Sequence, residues 1–142
     1  MALPTFKVRI AHDPRTLSGR GTYRANVFVE VWDGTGYGEG IPFLFDTGAE
    51  ATTVTTALAL DLGLSIVGGR AVTLRGSTGT GRGLLIPFRF RFAAWPVLEM
   101  LDTVCVVVPG EKSRGFLGLR DIHPRLEFFS LGDDLYFVPP PV

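Results

Sequence analysis

Phe45-Asp46-Thr47-Gly48-Ala49 is the stretch on which the reading of this chain turns. Leu44 and Phe45 run straight into a carboxylate, which is followed by a hydroxyl and a glycine. An unpaired charge at the end of an apolar run is costly to bury, so Asp46 needs a reason to be there. Thr47 and Gly48 supply one: a tight turn that presents the carboxylate and lets backbone donors approach it. The chain holds one Asp-Thr-Gly, and chemistry that uses a pair of carboxylates needs two.

Composition narrows the classes around that turn. A chain of 142 residues reads as one domain, large enough for a hydrophobic core. Its 14 basic and 14 acidic side chains cancel, and no long basic stripe supports nucleic-acid binding. Arginines between Arg70 and Arg82, together with Arg89 and Arg91, read as solvated positions on strands and turns. Cys105 lies in Val104-Cys105-Val106-Val107-Val108 and reads as a small buried hydrophobe rather than a reactive thiol. Met1–Ile10 has no basic region leading into an apolar core, and no apolar run approaches the roughly 18 residues that span a bilayer. The expectation is a cytoplasmic protein, or a soluble fragment of a longer one, with no membrane partner in this segment.

Frequent glycine (18) and proline (10) with short Val- and Phe-rich runs indicate an all-β barrel or sandwich. Strands are expected over Thr5–Ile10, Tyr23–Trp32, Gly40–Phe45, Val72–Arg75, Leu84–Phe92 and Leu101–Val108, and a short one at Phe116–Leu119. A short helical turn should follow at Arg120-Asp121-Ile122, and Leu126–Phe129 with Leu135–Val138 should close the chain as a hairpin. Asp33-Gly34-Thr35-Gly36 reads as a turn, and Trp32 as core or dimer packing. One longer helical segment, Thr53–Leu62, ends at Gly63. Gly76 to Gly83 forms a glycine-rich tip between two strands, and so a hairpin. Phe88, Phe90 and Phe92 alternate with Arg89 and Arg91, one face buried and the other wet.

Rival chemistries fit poorly. The glycine-rich tip lacks the Gly-Lys-Ser/Thr ending of a phosphate loop and opens no helix, whereas a mobile flap over a ligand suits it. His12 and His123 show no metal-ligand spacing, so neither metal nor cofactor is expected. No serine stands on a Gly-x-Ser-x-Gly elbow.

The order of Asp-Thr-Gly turn, helix, glycine-tipped hairpin and Phe116-Leu117-Gly118 resembles the retropepsins, the single-domain aspartic proteases of retroviruses and their bacterial and cellular relatives. The likeness spans roughly positions 22 to 138. Residues 1–21 stand as an N-terminal strand and extension, and 139–142 as a proline-rich tail. It implies an all-β, closed-barrel acid-protease half with a flap hairpin and one or two short helices. It implies a homodimeric aspartic endopeptidase acting on a peptide or protein substrate. Two Asp46 carboxylates would meet across a twofold axis, share one proton and activate a water. Thr47 would brace the two turns, Gly48 would bring its amide to the carboxylates, and Ala49 would complete the active-site turn. Gly76, Ser77, Thr78 and Gly79 would form the flap tip, with backbone donors for an extended peptide. Phe116, Leu117 and Gly118 would supply the second half of a psi-shaped loop. Glu50 and Arg120 would form a supporting ion pair. Thr5–Ile10 and Leu135–Val138 would be the strands that knit the dimer. Ile86, Val107 and Leu117 are expected as apolar cleft walls. The alternative is a retropepsin-like module that binds peptides or dimerises without cutting.

Overall fold

The computed structural model describes residues 6–13, 22–46, 51–76, 79–118, 127–131 and 134–138. The strands are β1 (Phe6–Asp13), β2 (Thr22–Val31), β3 (Ile41–Asp46), β4 (Thr53–Thr55), β5 (Arg70–Gly76), β6 (Gly79–Phe92), β7 (Trp95–Val108), β8 (Gly115–Gly118), β9 (Glu127–Leu131) and β10 (Asp134–Val138). Helix α1 (Thr56–Asp61) follows β4.

The sheet runs β5-β6-β7-β4-β8-β3-β2-β1-β10-β9, and β6 pairs with β2 as well. That extra pairing closes β6, β7, β4, β8, β3 and β2 into a six-stranded barrel. Closure removes open edges from the strands that carry the core. The all-β barrel expected from composition is therefore the fold.

Period-two alternation builds the interior. Ala25, Val27, Val29 and Val31 point inward from β2, and Ile86, Phe88, Phe90 and Phe92 from β6. Phe43, Phe88, Phe90, Phe92 and Phe137 form a chain of ring contacts at 5.2 to 6.1 Å between centroids. Each such ring contributes roughly 1.5–3 kcal/mol by leaving water. Cys105 is fully buried among them, as its apolar run indicated.

Three elements differ from the sequence expectation, each for a local reason. The helix starts three residues later than expected, because Thr53-Val54-Thr55 is a β-branched run that inserts between β7 and β8. Thr55 then caps α1, its hydroxyl accepting the Leu58 amide at 3.3 Å. Strand β7 begins at Trp95 rather than Leu101, with Val97 and Leu101 exposed, so its alternation is blurred in sequence. The expected tip at Gly76–Gly83 is narrower, because pairing continues through Leu74↔Gly81 to Gly76↔Gly79. The helical turn expected at Arg120–Ile122 lies outside the described residues.

Arg89 and Arg91 are not simply solvated. Arg89 pairs with Glu99 at 2.9 Å and stacks 4.1 Å over Trp32, while Arg91 pairs with Glu30 and stacks 4.1 Å over Tyr37. Tyr37 donates to Glu99 at 2.5 Å. Trp32 thus packs on a guanidinium outside the barrel, not in its core. The cluster fastens the β2–β3 connection to β6 and β7. In that connection Asp33 accepts from the amide and hydroxyl of Thr35 and from the Gly36 amide, which holds its carboxyl below the ordinary range.

The terminal strands have partners within the chain. Strand β1 pairs with β10 through Phe6–Arg9 and with β2 through Ile10–Asp13, and β10 is flanked on its other side by β9. Among the described strands the edge of the sheet at this end is β9, and β10 is paired on both sides within the chain.

Candidate functional site

Asp46 is the last residue of β3, half-buried, and sits opposite Gly118 in the parallel pairing of β3 with β8. Alternation along β3 sends Phe43 into the core and puts Pro42, Leu44 and Asp46 on the other face. Phe45, on the core-facing side, is held edge-on by Phe128 at 5.0 Å and Phe137 at 5.3 Å. The carboxylate is therefore delivered by a strand end locked on its inner face.

The opposite strand accepts only glycine at its end. A Cβ on Gly118 would stand 2.6 Å from both the Ala51 carbonyl oxygen and the Thr52 amide nitrogen. The space is taken because Gly118 donates its amide to Thr52 Oγ1 at 3.1 Å. Thr52 is fully buried, and its carbonyl accepts from the Val106 amide at 2.9 Å. Residues 51–55 thus run through the gap between β8 and β7 and tie the two halves of the psi-shaped arrangement together. Thr52 is not among the site residues expected from sequence, although a Thr-Thr pair ahead of Val54, soon after the turn, is where a buried hydroxyl would be sought.

A pocket of about 270 Å³ adjoins this strand end, lined by Asn26, Pro42, Leu44, Ser113, Arg114, Gly115 and Phe116. Asn26, Leu44 and Phe116 lie on one rung across β2, β3 and β8. Asp46 and Gly118 lie two residues further along the same strands and the same face, about 7 Å away at the usual rise per residue. Ile86, Val107 and Leu117, expected as cleft walls, instead point into the core and are almost wholly buried. The parity of each strand decides this: Leu117 is inward, so Phe116 faces the pocket.

The 110–114 segment on the pocket rim hangs from two threonines. Thr55 Oγ1 donates to the Lys112 carbonyl at 2.6 Å and accepts from the Arg114 amide at 3.1 Å. Thr56 Oγ1 donates to the Gly110 carbonyl at 2.9 Å and accepts from its amide at 3.1 Å. Ser113 donates to Asp61 at 2.5 Å.

Strands β5 and β6 form the expected glycine-tipped hairpin, paired from Arg70↔Leu85 to Gly76↔Gly79. Gly79 has φ of +129°, a conformation that favours glycine at the tip. Gly83 lies against β7, where a Cβ would meet the Val107 carbonyl at 3.0 Å and Val106 closer still. Of the residues assigned from sequence, Thr47, Gly48, Ala49, Glu50, Ser77, Thr78 and Arg120 lie outside the described residues. Asp46, Phe116 and Gly118 are brought together, while Leu117 serves the core. Asn26, Ser113 and Arg114 join the site without having been named in sequence. Among the described residues no three His, Cys, Asp or Glu side chains cluster so as to hold a metal ion, and no helix is long and apolar enough to cross a membrane.

Comparison with known proteins agrees with this geometry. The crystal structure of a retropepsin-like aspartic protease from Rickettsia conorii superposes with a TM-score of 0.67 at 17% identity, over 96% of this chain and 91% of that one. No curated protein matches the chain in sequence. The model of the aspartyl protease family matches residues 32–120, which span the Asp46 turn, the flap hairpin and β8. The chain belongs to the aspartyl protease family, and its fold is retropepsin-like.

Proposed function

We propose that the protein is an aspartic endopeptidase that works as a homodimer, each copy contributing Asp46. The observation that carries this reading is Asp46 at the carboxyl end of β3, opposite Gly118, in a chain with one Asp-Thr-Gly turn. A single carboxylate cannot act as acid and base at once, so the second is supplied by a second copy.

Two such carboxylates brought into contact share one proton, since both cannot be charged at close range. The ionised member accepts a proton from a water held between them, and the water attacks the scissile carbonyl. The protonated member donates a hydrogen bond to the carbonyl oxygen as negative charge builds on it. The proton then passes to the leaving amine, and no covalent intermediate forms. The flap hairpin would close over the extended peptide, and the pocket beside Asp46 would receive one of its side chains.

The test is cleavage of a peptide library by wild-type protein and by Asp46→Asn, with the mass in solution measured for both. Loss of cleavage in the variant with the dimer mass unchanged is expected. Cleavage by Asp46→Asn at the wild-type rate, or full activity from a strict monomer, overturns the reading.

A further inference from the structure

We propose that the pocket beside Asp46 selects an acidic side chain of the substrate, and that Arg114 is the residue that reads it. Which bond is cut rests on the peptidase reading above; the selection itself concerns binding and stands apart from it.

The lining carries the argument. Its polar members are Asn26, Ser113 and Arg114, set around Pro42, Leu44 and Phe116, and no carboxylate lines it. The hydroxyl of Ser113 is already committed to Asp61. Among the lining residues that leaves one full charge, the Arg114 guanidinium, with the Asp61 carboxylate taken up by Ser113. At about 270 Å³ the pocket lies below the usual range for a whole small-molecule ligand, roughly 300–1,000 Å³, and suits one side chain of a longer chain.

Arg114 is held at its root and left open at its head. Its amide donates to Thr55 Oγ1 and its carbonyl accepts the Thr55 amide at 3.0 Å, so the backbone cannot drift from the pocket. Arg89 and Arg91 are each paired with a glutamate, whereas Arg114 has no carboxylate partner among the described residues. A guanidinium presents a planar fork that fits a carboxylate through two parallel hydrogen bonds. Its chain neighbours Glu111 and Lys112 offset one another.

The flap adds charge of the same sign. Arg75 and Arg82 are exposed, and the registers Arg75↔Thr80 and Thr73↔Arg82 put them diagonally on one face of the hairpin. Neither has an ion-pair partner among the described residues. A single rung, Leu84–Val107–Val54–Gly115, joins the base of this hairpin to β8. Arg82 and Arg114 both precede that rung on the same side of it, because β6 and β8 run in one sense and β7 and β4 in the other.

The experiment uses sets of otherwise identical peptides carrying Glu, Gln, Leu or Lys at each position around the scissile bond. Cleavage is measured as kcat/KM for the wild-type protein, Arg114→Leu and Arg114→Glu. At one position Glu should exceed Gln by about five- to tenfold in the wild type, the range of a partly exposed charge-assisted pair, and less at high salt. The ratio should fall to about one in Arg114→Leu, and Lys should be preferred in Arg114→Glu. A wild-type ratio near one, or a ratio unchanged in Arg114→Leu, overturns the proposal. So does a preference carried only by peptides whose sole carboxylate is the chain terminus. The same peptides, fluorescently labelled, are also titrated onto Asp46→Asn protein and followed by anisotropy. Binding that favours Glu while no peptide is ever cut would sink the peptidase reading and leave this one standing. Cleavage with no Glu preference in either readout does the reverse.

Discussion

The amide of Gly118 donates to the buried hydroxyl of Thr52, and this bond sets how closely β8 approaches the segment that follows the Asp46 turn. The carboxylate's position is therefore controlled by two residues that carry no charge. Gly118 sits opposite Asp46 in register, so a shift of β8 moves the rung on which the carboxylate stands. Thr52→Val keeps the shape and leaves the Gly118 amide buried without an acceptor, which costs about 1–3 kcal/mol. Gly118→Ala forces a methyl into the Ala51–Thr52 backbone, costing about 3 kcal/mol in overpacking. Urea unfolding of both variants checks these values. A Gly118→Ala protein as stable as wild type contradicts the close packing described.

Gly115 makes a parallel case at the other end of β8, against a side chain instead of the backbone. A Cβ there would meet the Phe43 ring at 2.6 to 2.8 Å. The ring has somewhere to go only by disturbing its stack on Phe88. Gly115→Ala should cost roughly 1–3 kcal/mol, and Phe43→Leu in the same chain should recover part of it by clearing space. A double-mutant cycle in urea measures that coupling, and strict additivity contradicts it.

These two glycines show what was legible in the sequence and what was not. Asp46-Thr47-Gly48, the alternation in β2 and β6, and the Phe-Leu-Gly of β8 are local patterns, each readable without knowing its partner. They yielded the barrel and a glycine-tipped hairpin. Thr52 and Arg114 act through residues 66 and 59 positions away respectively, and no local pattern marks such a pairing. The cleft walls were misassigned for a related reason. Ile86, Val107 and Leu117 are as apolar as a pocket floor, and only the strand registers reveal that their parity points inward. Likewise, Arg89 and Arg91 read as wet charges because Glu30 and Glu99 reach them from other strands, and Trp32 and Tyr37 from the β2–β3 connection.

The Tyr37–Glu99–Arg89 cluster predicts a two-sided pH dependence of stability. Hydrogen bonds from Tyr37 and Arg89 hold the Glu99 carboxyl below its ordinary value. Its contribution is therefore present above the carboxylate range and lost as pH falls through the lowered folded value. For Tyr37, burial and its bond to Glu99 raise the phenol above its usual value. That contribution is intact below the ordinary phenol range and lost as pH rises through the raised value. Urea midpoints across the pH range should fall at both ends in the wild type. Glu99→Gln should flatten the acid side and Tyr37→Phe the alkaline side. Identical pH profiles for all three proteins contradict the assignment.

Thr55 links the helix cap, the pocket rim and the residue proposed to read the substrate. One hydroxyl accepts from Leu58 and Arg114 and donates to Lys112. Thr55→Val removes all three bonds while keeping the β-branched shape that β4 favours, and should cost about 2 kcal/mol as a lost cap. Thr55→Ser keeps the hydroxyl and should stay near wild type. The more telling readout is selectivity. With the rim no longer pinned, Arg114 keeps its charge and loses its fixed root, so ordering it falls to the peptide. Discrimination between Glu and Gln peptides should therefore shrink in Thr55→Val and survive in Thr55→Ser, measured as the ratio of kcat/KM values at a temperature where both variants are folded. Full discrimination in Thr55→Val would mean that Arg114 needs no anchoring, and that its charge alone sets the preference.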